Sequence, residues 1–363
     1  MKIIITYASA GAGHFKAAEA IAEYFKESRP DLEIKLIDAL DYTSPYFKNS
    51  YIRGYNLLVN HATWAWAVAF YLTSFKPLLF FINPVHAAIN RLNSGKLVNF
   101  LIKERPDFVI STHFLPSQIT SALKKEHKID AKLFTVITDF GVHPFWLAED
   151  TDIYAVASDY TSRILNREGV GKDKIIVTGI PIEKKFLHEF NRMELSRKFG
   201  LDPDKFTVLI VTGSFGIGPI EQIADSLHKE AQVIAVCARN QKLYRRLNKK
   251  NYPELKVFGF VDNIQELMAA SDVIITKPGG LTTSEVLAME LPPLFICAIP
   301  GQETVNAQYL YAEGIARAAT GVEAIKDIIL DYKHNPQKIL AIKEKIRRIK
   351  RPFAAQELYR AVC

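Results

Sequence analysis

Apolar runs alternate with amphipathic helical stretches along most of this chain. A strand that is apolar at every position must be covered on both faces, and a parallel neighbour can be reached only through a crossover. The alternation therefore predicts parallel sheets flanked by crossover helices. In the first half the strand candidates are 2–7, 33–38, 108–112, 132–138, 153–157 and 175–178; in the second they are 206–211, 232–236, 255–258, 272–276 and 293–296. A chain of 363 residues that is 48% hydrophobic can bury two ordinary cores. Two Rossmann-like α/β domains are expected: 1–182, a hinge at 183–204 where the sequence turns polar and charged, 205–345, and a last helix, 346–363, returning to the first domain after a kink near Pro352. Any ligand belongs at the carboxyl ends of the strands, in the cleft between such sheets.

Three glycine turns follow strands. Lys277-Pro278-Gly279-Gly280-Leu281-Thr282-Thr283-Ser284-Glu285 runs from an apolar strand into a helical pattern. Glycines admit a close approach by phosphate, and the unpaired N–H groups and dipole of the new helix favour negative charge, so this segment is an anion site for a nucleotide diphosphate. Glu285, about one turn further, can accept from two ribose hydroxyls. Thr212-Gly213-Ser214-Phe215-Gly216-Ile217-Gly218 has the same strand-to-helix setting and can grip the diphosphate from another side. Ser9-Ala10-Gly11-Ala12-Gly13-His14 ends the first strand and places His14 in a helix's first turn, with Ala17, Ile21, Tyr24 and Phe25 on the opposite, core-facing side. The dipole there disfavours the imidazolium, which makes His14 a general-base candidate; a plain βα turn with His14 as its cap is the alternative.

Net charge is +7, which suits nucleic acid, anionic membrane or anionic small substrates without choosing among them. No nucleic-acid motif accompanies it, and no nucleic-acid partner is expected. Cys237, Cys297 and Cys363 are too few and scattered for a disulfide framework or zinc site and read as reduced thiols of a cytosolic protein. Met1 leads almost directly into a strand, leaving no room for a signal peptide. An Asp-x-Asp, Asp150-Thr151-Asp152, precedes its strand rather than following it, the wrong end for a cleft metal.

Between Gly54 and Phe75 there is no charged side chain, and Trp64, Trp66, Phe70 and Tyr71 precede a run of Phe75, Leu78, Leu79, Phe80 and Phe81. The stretch is long enough to suggest a membrane span, but Asn56, Asn60 and His61 interrupt it and Lys76-Pro77 ends it. Flanked by Lys48, Arg53, Lys76 and Arg91, segment 54–82 reads as an interfacial patch that dips into anionic lipid; a buried helical pair is the alternative. The basic tail (Lys343, Lys345, Arg347, Arg348, Lys350, Arg351) reads as a solvated helix face or an extension of that surface.

The run 259–272, the Lys277–Glu285 segment and Pro300-Gly301-Gln302-Glu303 resemble the donor domain of the monogalactosyldiacylglycerol synthases and processive diacylglycerol glucosyltransferases, in glycosyltransferase family 28 with the GT-B fold. The 11–14 turn, Thr138-Asp139-Phe140 with His143 and Trp146, and Thr178-Gly179-Ile180-Pro181-Ile182 are similar to that family's N-terminal motifs in the same order, while Ala238 departs from its more usual Cys-Gly-Arg-Asn. The resemblance implies metal-independent, inverting transfer of glucose or galactose from a UDP-sugar to diacylglycerol, with no cofactor, on the cytoplasmic face of the cell membrane. It places Phe260 and Val261 beside uracil, Glu285 on ribose, and Ser214, Gly216, Arg239, Gly280, Leu281 and Thr282 around the diphosphate. Gln302 and Glu303 would bind sugar hydroxyls and Gly13 would lie by the donor; His14 would be the base, with Asp139 and His143 in reserve. Transfer of N-acetylglucosamine to a lipid-linked muramoyl-pentapeptide, epimerisation of UDP-N-acetylglucosamine, and non-catalytic sensing of sugar nucleotides stay open as alternatives.

Overall fold

The protein is described by a computed structural model covering residues 1–9 and 11–363. Ala10 and the side chains of Asn56, Asn60, His61, Lys76, Phe80, Asn83, Pro84 and Ala87 lie outside the described residues, and with them the readings placed on Ala10, Asn56, Asn60, His61, Lys76 and Phe80. The chain divides into two units: Met1–Glu183 with Ile299–Val305 and Arg351–Cys363, and Lys184–Ala298 with Asn306–Lys350.

The first unit contains a six-stranded parallel sheet, β1 (Lys2–Tyr7), β2 (Glu33–Asp38), β3 (Phe108–Ser111), β4 (Lys132–Val136), β5 (Ile153–Val156) and β6 (Ile175–Val177), in the order β2-β1-β3-β4-β5-β6. Its helices are α1 (Ala12–Ser28), α2 (Pro45–His61), α3 (Thr63–Leu72), α4 (Lys76–Asn93), α5 (Gly95–Glu104), α6 (Phe114–Lys125) and α7 (Asp159–Arg167). Ile3, Ile4 and Ile5 of β1 are all fully buried because successive side chains enter cores on opposite faces, Ile3 and Ile5 with α1 and Ile4 with α5 and α6.

The second unit begins with α8 (Arg192–Phe199) and carries β7 (Thr207–Val211), α9 (Ile220–Leu227), β8 (Gln232–Val236), α10 (Gln241–Asn248), β9 (Leu255–Phe258), α11 (Ile264–Ala269), β10 (Val273–Thr276), α12 (Gly280–Ala288) and β11 (Pro293–Phe295). After α13 (Gln302–Ala312) come β12 (Arg317–Ala318), α14 (Val322–His334) and α15 (Pro336–Ile349), and the chain ends in α16 (Ala354–Val362). The sheet order is β12-β11-β10-β7-β8-β9, all parallel, which is the classical dinucleotide-fold order with its switch point between β7 and β10.

The stretch read as a hinge, 183–204, falls almost wholly inside the second unit. Its charges have structural work: Arg192 forks onto both carboxylate oxygens of Asp272, at 2.5 and 2.8 Å. In the tail, Arg347 and Lys350 pair with Glu290 at 2.7 and 2.8 Å, while Lys345, Arg347 and Arg348 remain exposed, as a solvated helix face requires. Helix α16 groups with the first unit, where Tyr359 meets Tyr24 and Phe25 of α1 at 5.9 and 5.2 Å between ring centres.

The uncharged aromatic stretch forms α2, α3 and α4, and among the described residues no helix is long and apolar enough to cross a membrane. The alternative of a buried pair fails for α3, which has no buried residue. Trp64 (74% exposed), Val68, Tyr71 and Leu72 repeat at i, i+4, i+7 and i+8, and Phe81 (68%), Val85, Ile89 and Leu92 follow the same helical period on α4. Each helix thus turns an apolar stripe to solvent.

Candidate active site

Switch points locate the chemistry in both sheets. In the first unit the neighbours β1 and β3 diverge, and the turns leaving their carboxyl ends carry His14 and His113. Nδ1 of His14 lies 2.8 Å from the carbonyl oxygen of Thr112. A carbonyl only accepts, so Nδ1 carries the proton and the neutral ring presents its lone pair on Nε2. Thr138 Oγ1, 2.9 Å from the same Nδ1, accepts as a second partner, and the Thr112 hydroxyl donates to the His14 carbonyl at 2.8 Å, fixing strand end to helix start. Burial holds the His14 pKa down at about 4, against the opposing pull of the Thr112 carbonyl. The ring is neutral at pH 7 and able to take a proton.

His113 was not singled out by the sequence, because no glycine marks its turn. It is 2% exposed and meets the His14 ring edge-on, 4.7 Å between centres. Its Nδ1 accepts the Leu115 N–H at 3.1 Å, which caps α6 and leaves the ring proton on Nε2. Burial, then the neighbouring His14, hold its pKa well below the ordinary value.

A cavity of about 720 Å³ opens beside these histidines. His14, Asp139, His143 and Gln302 line it, so four of the residues expected at the site meet in one unit. The remaining wall is largely aromatic, including Tyr55, Trp66, Phe70 and Trp146, and among the described lining residues there is no Lys or Arg. His143 has both nitrogens engaged: Nδ1 accepts from Phe145 N at 3.2 Å, and Nε2 lies 3.1 Å from Thr73 Oγ1. Burial lowers its pKa to about 4. This geometry fits a residue that ties the end of α3 to the cavity wall better than one that takes a proton.

Gln302 and Glu303 begin α13, and the turn before them is tightly fixed. Gly301 has φ +95°, and a Cβ there would meet the Phe70 ring at 2.6 Å, so only glycine lets the turn pack against α3. Glu303 Oε2 accepts the Ile299 N–H at 2.7 Å. Gly13 sits in the first turn of α1, one residue before His14.

In the second unit the switch point falls between the turns after β7, with Ser214 and Gly216, and β10, leading to Gly280, Leu281, Thr282 and Glu285; Arg239 follows β8 and Phe260 and Val261 follow β9. The 212–218 turn folds back onto the end of β8: Ser214 O accepts from Arg239 N at 3.3 Å, and Asn240 Nδ2 donates to Gly216 O at 3.1 Å. Gly216 has φ +57°, and a Cβ would lie 2.3 Å from Cys237 O. Helix α12 starts at Gly280 with no side-chain cap and no acidic residue in its first turn, which carries Leu281 and Thr282, so its start is open to an anion. The buried hydroxyls of Thr212 and Thr283 have no partner among the described residues. Asn306, another residue the motifs did not mark, braces the glycine turn by donating to Pro278 O at 3.0 Å. Phe260 is 58% exposed beside Val261, with the Arg239 guanidinium 5.9 Å from its ring centre, a flat face suited to a base. Glu285 is half-buried on α12. Asp152, the end of the Asp-x-Asp, takes the Leu133 N–H at 2.6 Å and pairs with Lys124, a structural post.

Residues 14–182 match the monogalactosyldiacylglycerol (MGDG) synthase family, and residues 207–357 match the glycosyltransferase family 28 C-terminal domain. A processive diacylglycerol beta-glucosyltransferase of Staphylococcus saprophyticus is 30% identical over 98% of this chain and 91% of its own length, and one of Bacillus cereus is 35% identical over 72% and 69%. Among solved structures, MurG of Acinetobacter baumannii superposes with TM-score 0.66 at 15% identity over 99% of both chains, and Anabaena HepE with bound UDP with 0.59 at 14% over 100% and 99%; at such identity they establish the GT-B fold alone. The chain belongs to the glycosyltransferase family that contains the monogalactosyldiacylglycerol synthases and the processive diacylglycerol β-glucosyltransferases.

Proposed function

We propose that this protein transfers a hexose from a UDP-sugar to the free hydroxyl of diacylglycerol with inversion at the anomeric carbon. The observation that carries this reading is His14: a neutral imidazole with its lone pair on Nε2, in an aromatic cavity suited to a lipid. As the acceptor oxygen bonds to C1 of the sugar, the C1–O bond to UDP breaks, the hydroxyl proton passes to His14 Nε2, and the electron pair leaves with the diphosphate. Donors aimed at those phosphate oxygens stabilise the transition state more than the ground state. The open start of α12 supplies such donors, and transfer without a divalent cation is the expectation. Phe260 and Glu285 take uracil and ribose, and Gln302 and Glu303 read the sugar. Transfer to a lipid diphosphate is disfavoured because no Lys or Arg is among the described residues that line the acceptor cavity.

The apolar stripes of α3 and α4 rest in the headgroup region of an anionic membrane, on its cytoplasmic face, without spanning it. The test is incubation of purified protein with labelled UDP-glucose or UDP-galactose and dioleoylglycerol vesicles, following label into the organic phase. Absence of lipid-soluble label with both donors overturns the reading.

A further inference from the structure

Two neutral oxygens meet the Nδ1–H of His14: the Thr112 carbonyl at 2.8 Å and the Thr138 hydroxyl at 2.9 Å. They follow the carboxyl ends of the paired strands β3 and β4, and both threonines are buried, Thr112 fully and Thr138 to within 5%. The Thr112 hydroxyl also donates to the His14 carbonyl at 2.8 Å, so the start of α1 is tied to the end of β3 and the ring is carried to both oxygens by backbone position. The carbonyl alone already fixes the tautomer, because it can only accept. The Thr138 hydroxyl is not needed for that.

Its use lies in the charge that transfer creates. While His14 is neutral, Nδ1–H is an ordinary donor. Once Nε2 has taken the acceptor proton the ring is an imidazolium, and a hydrogen bond from an ionised donor is roughly twice as strong as a neutral one. The bond to Thr138 therefore strengthens as the reaction proceeds, and an interaction stronger in the transition state than in the ground state raises kcat while leaving KM unchanged. A carboxylate in the same place would also favour the charged form of the resting ring; a hydroxyl gives part of that support without a fixed negative charge.

We infer that Thr138 is a positioning residue for transfer: its hydroxyl orients the His14 ring and takes up the Nδ1–H of the imidazolium as the acceptor proton moves to Nε2. The inference rests on His14 being the base and deepens that assignment. The test is single-turnover transfer from labelled UDP-sugar to dioleoylglycerol vesicles, with KM for both substrates, in Thr138→Val, Thr138→Ser and His14→Ala and in the double variant Thr138→Val with His14→Ala. Valine keeps the shape, fills the hydroxyl's place against water and leaves the Thr112 bond intact, so the rate should fall by about tenfold with each KM within about twofold of the parent. Serine restores the hydroxyl and should return the rate to within about threefold. His14→Ala should lose about a hundredfold or more, and valine should then cost nothing further, since a group that acts only through the ring has nothing left to act on. A parent-like rate in Thr138→Val, a serine variant as slow as valine, or an equal valine loss without His14 overturns the role of Thr138 and leaves the transfer reaction standing. Unchanged turnover in His14→Ala removes the base and Thr138 with it, and no transfer by the parent removes the proposed reaction itself.

Discussion

The acid limb of the pH–activity profile tests the state of His14 directly. A histidine with its ordinary pKa of about 6.5 would be roughly 9% neutral at pH 5.5, whereas one titrating at about 4 is roughly 97% neutral there. Activity limited by the His14 base should therefore stay nearly flat from pH 7.5 to 5.5; an unperturbed base would cost about tenfold over the same interval. The sign for stability runs the same way. The folded pKa lies below the unfolded one, so the unfolded chain binds more protons, and stability is full above pH 6.5 and falls as pH drops towards 4. The gap corresponds to about 3 kcal/mol at most for each of His14 and His143, a substantial part of a typical folding free energy. Initial rates should accordingly be measured beside circular dichroism at each pH, with donor and acceptor saturating. A tenfold fall in kcat centred near pH 6.5 while the fold persists would refute the argument that burial and the Thr112 carbonyl set the protonation of this ring.

Gly301→Ala should raise KM for the UDP-sugar by about tenfold, because the Cβ enters the Phe70 ring; the double variant with Phe70→Ala should recover part of that loss but not the strain of a positive φ, as read by steady-state kinetics. Gly216→Ala should weaken UDP binding by about tenfold or more in calorimetry, since its clash is with backbone at Cys237 and has no flexible neighbour to yield. Replacing Trp64 and Phe81 by Ser should leave thermal unfolding within a degree or two of the parent, as both are mainly solvent-exposed, yet lower binding to anionic vesicles by an order of magnitude or more in a sedimentation assay. A chelator in excess should leave transfer within about twofold of the untreated rate.

Strands β1 and β8 were legible because parallel strands buried on both faces write themselves as apolar runs, and 2–7 and 232–236 coincide with them; the edge strands β2 and β9, only part-buried, also coincide with 33–38 and 255–258. Strand β12 was not, being two exposed residues, Arg317 and Ala318, with no apolar signal. Helices α3 and α4 misled the ordinary rule because their apolar stripes face solvent, and periodicity tells that a stripe exists without telling what covers it. The glycine turns announced His14 and the start of α12; at Gly11 the reason is a φ of +109°, which L side chains rarely adopt. His113 and Asn306 had no such marker: each acts through a hydrogen bond to backbone that the chain brings near only on folding. The polar stretch taken as a hinge shows that charge alone does not separate a linker from a helix pinned by one forked ion pair.

The grouping of α16 with the first unit bears on how this polypeptide is made. Leu358 and Val362 sit in the same buried cluster as Ile3, Ile21 and Phe25, so the β1–α1 segment finishes its core with residues made long after it. Until those arrive, the α1 face that they cover stays wet and sticky, which marks the nascent N-terminal half as the species chaperones would hold. Expressing the two halves as separate fragments should therefore give an insoluble first piece unless a peptide spanning α16 is supplied with it.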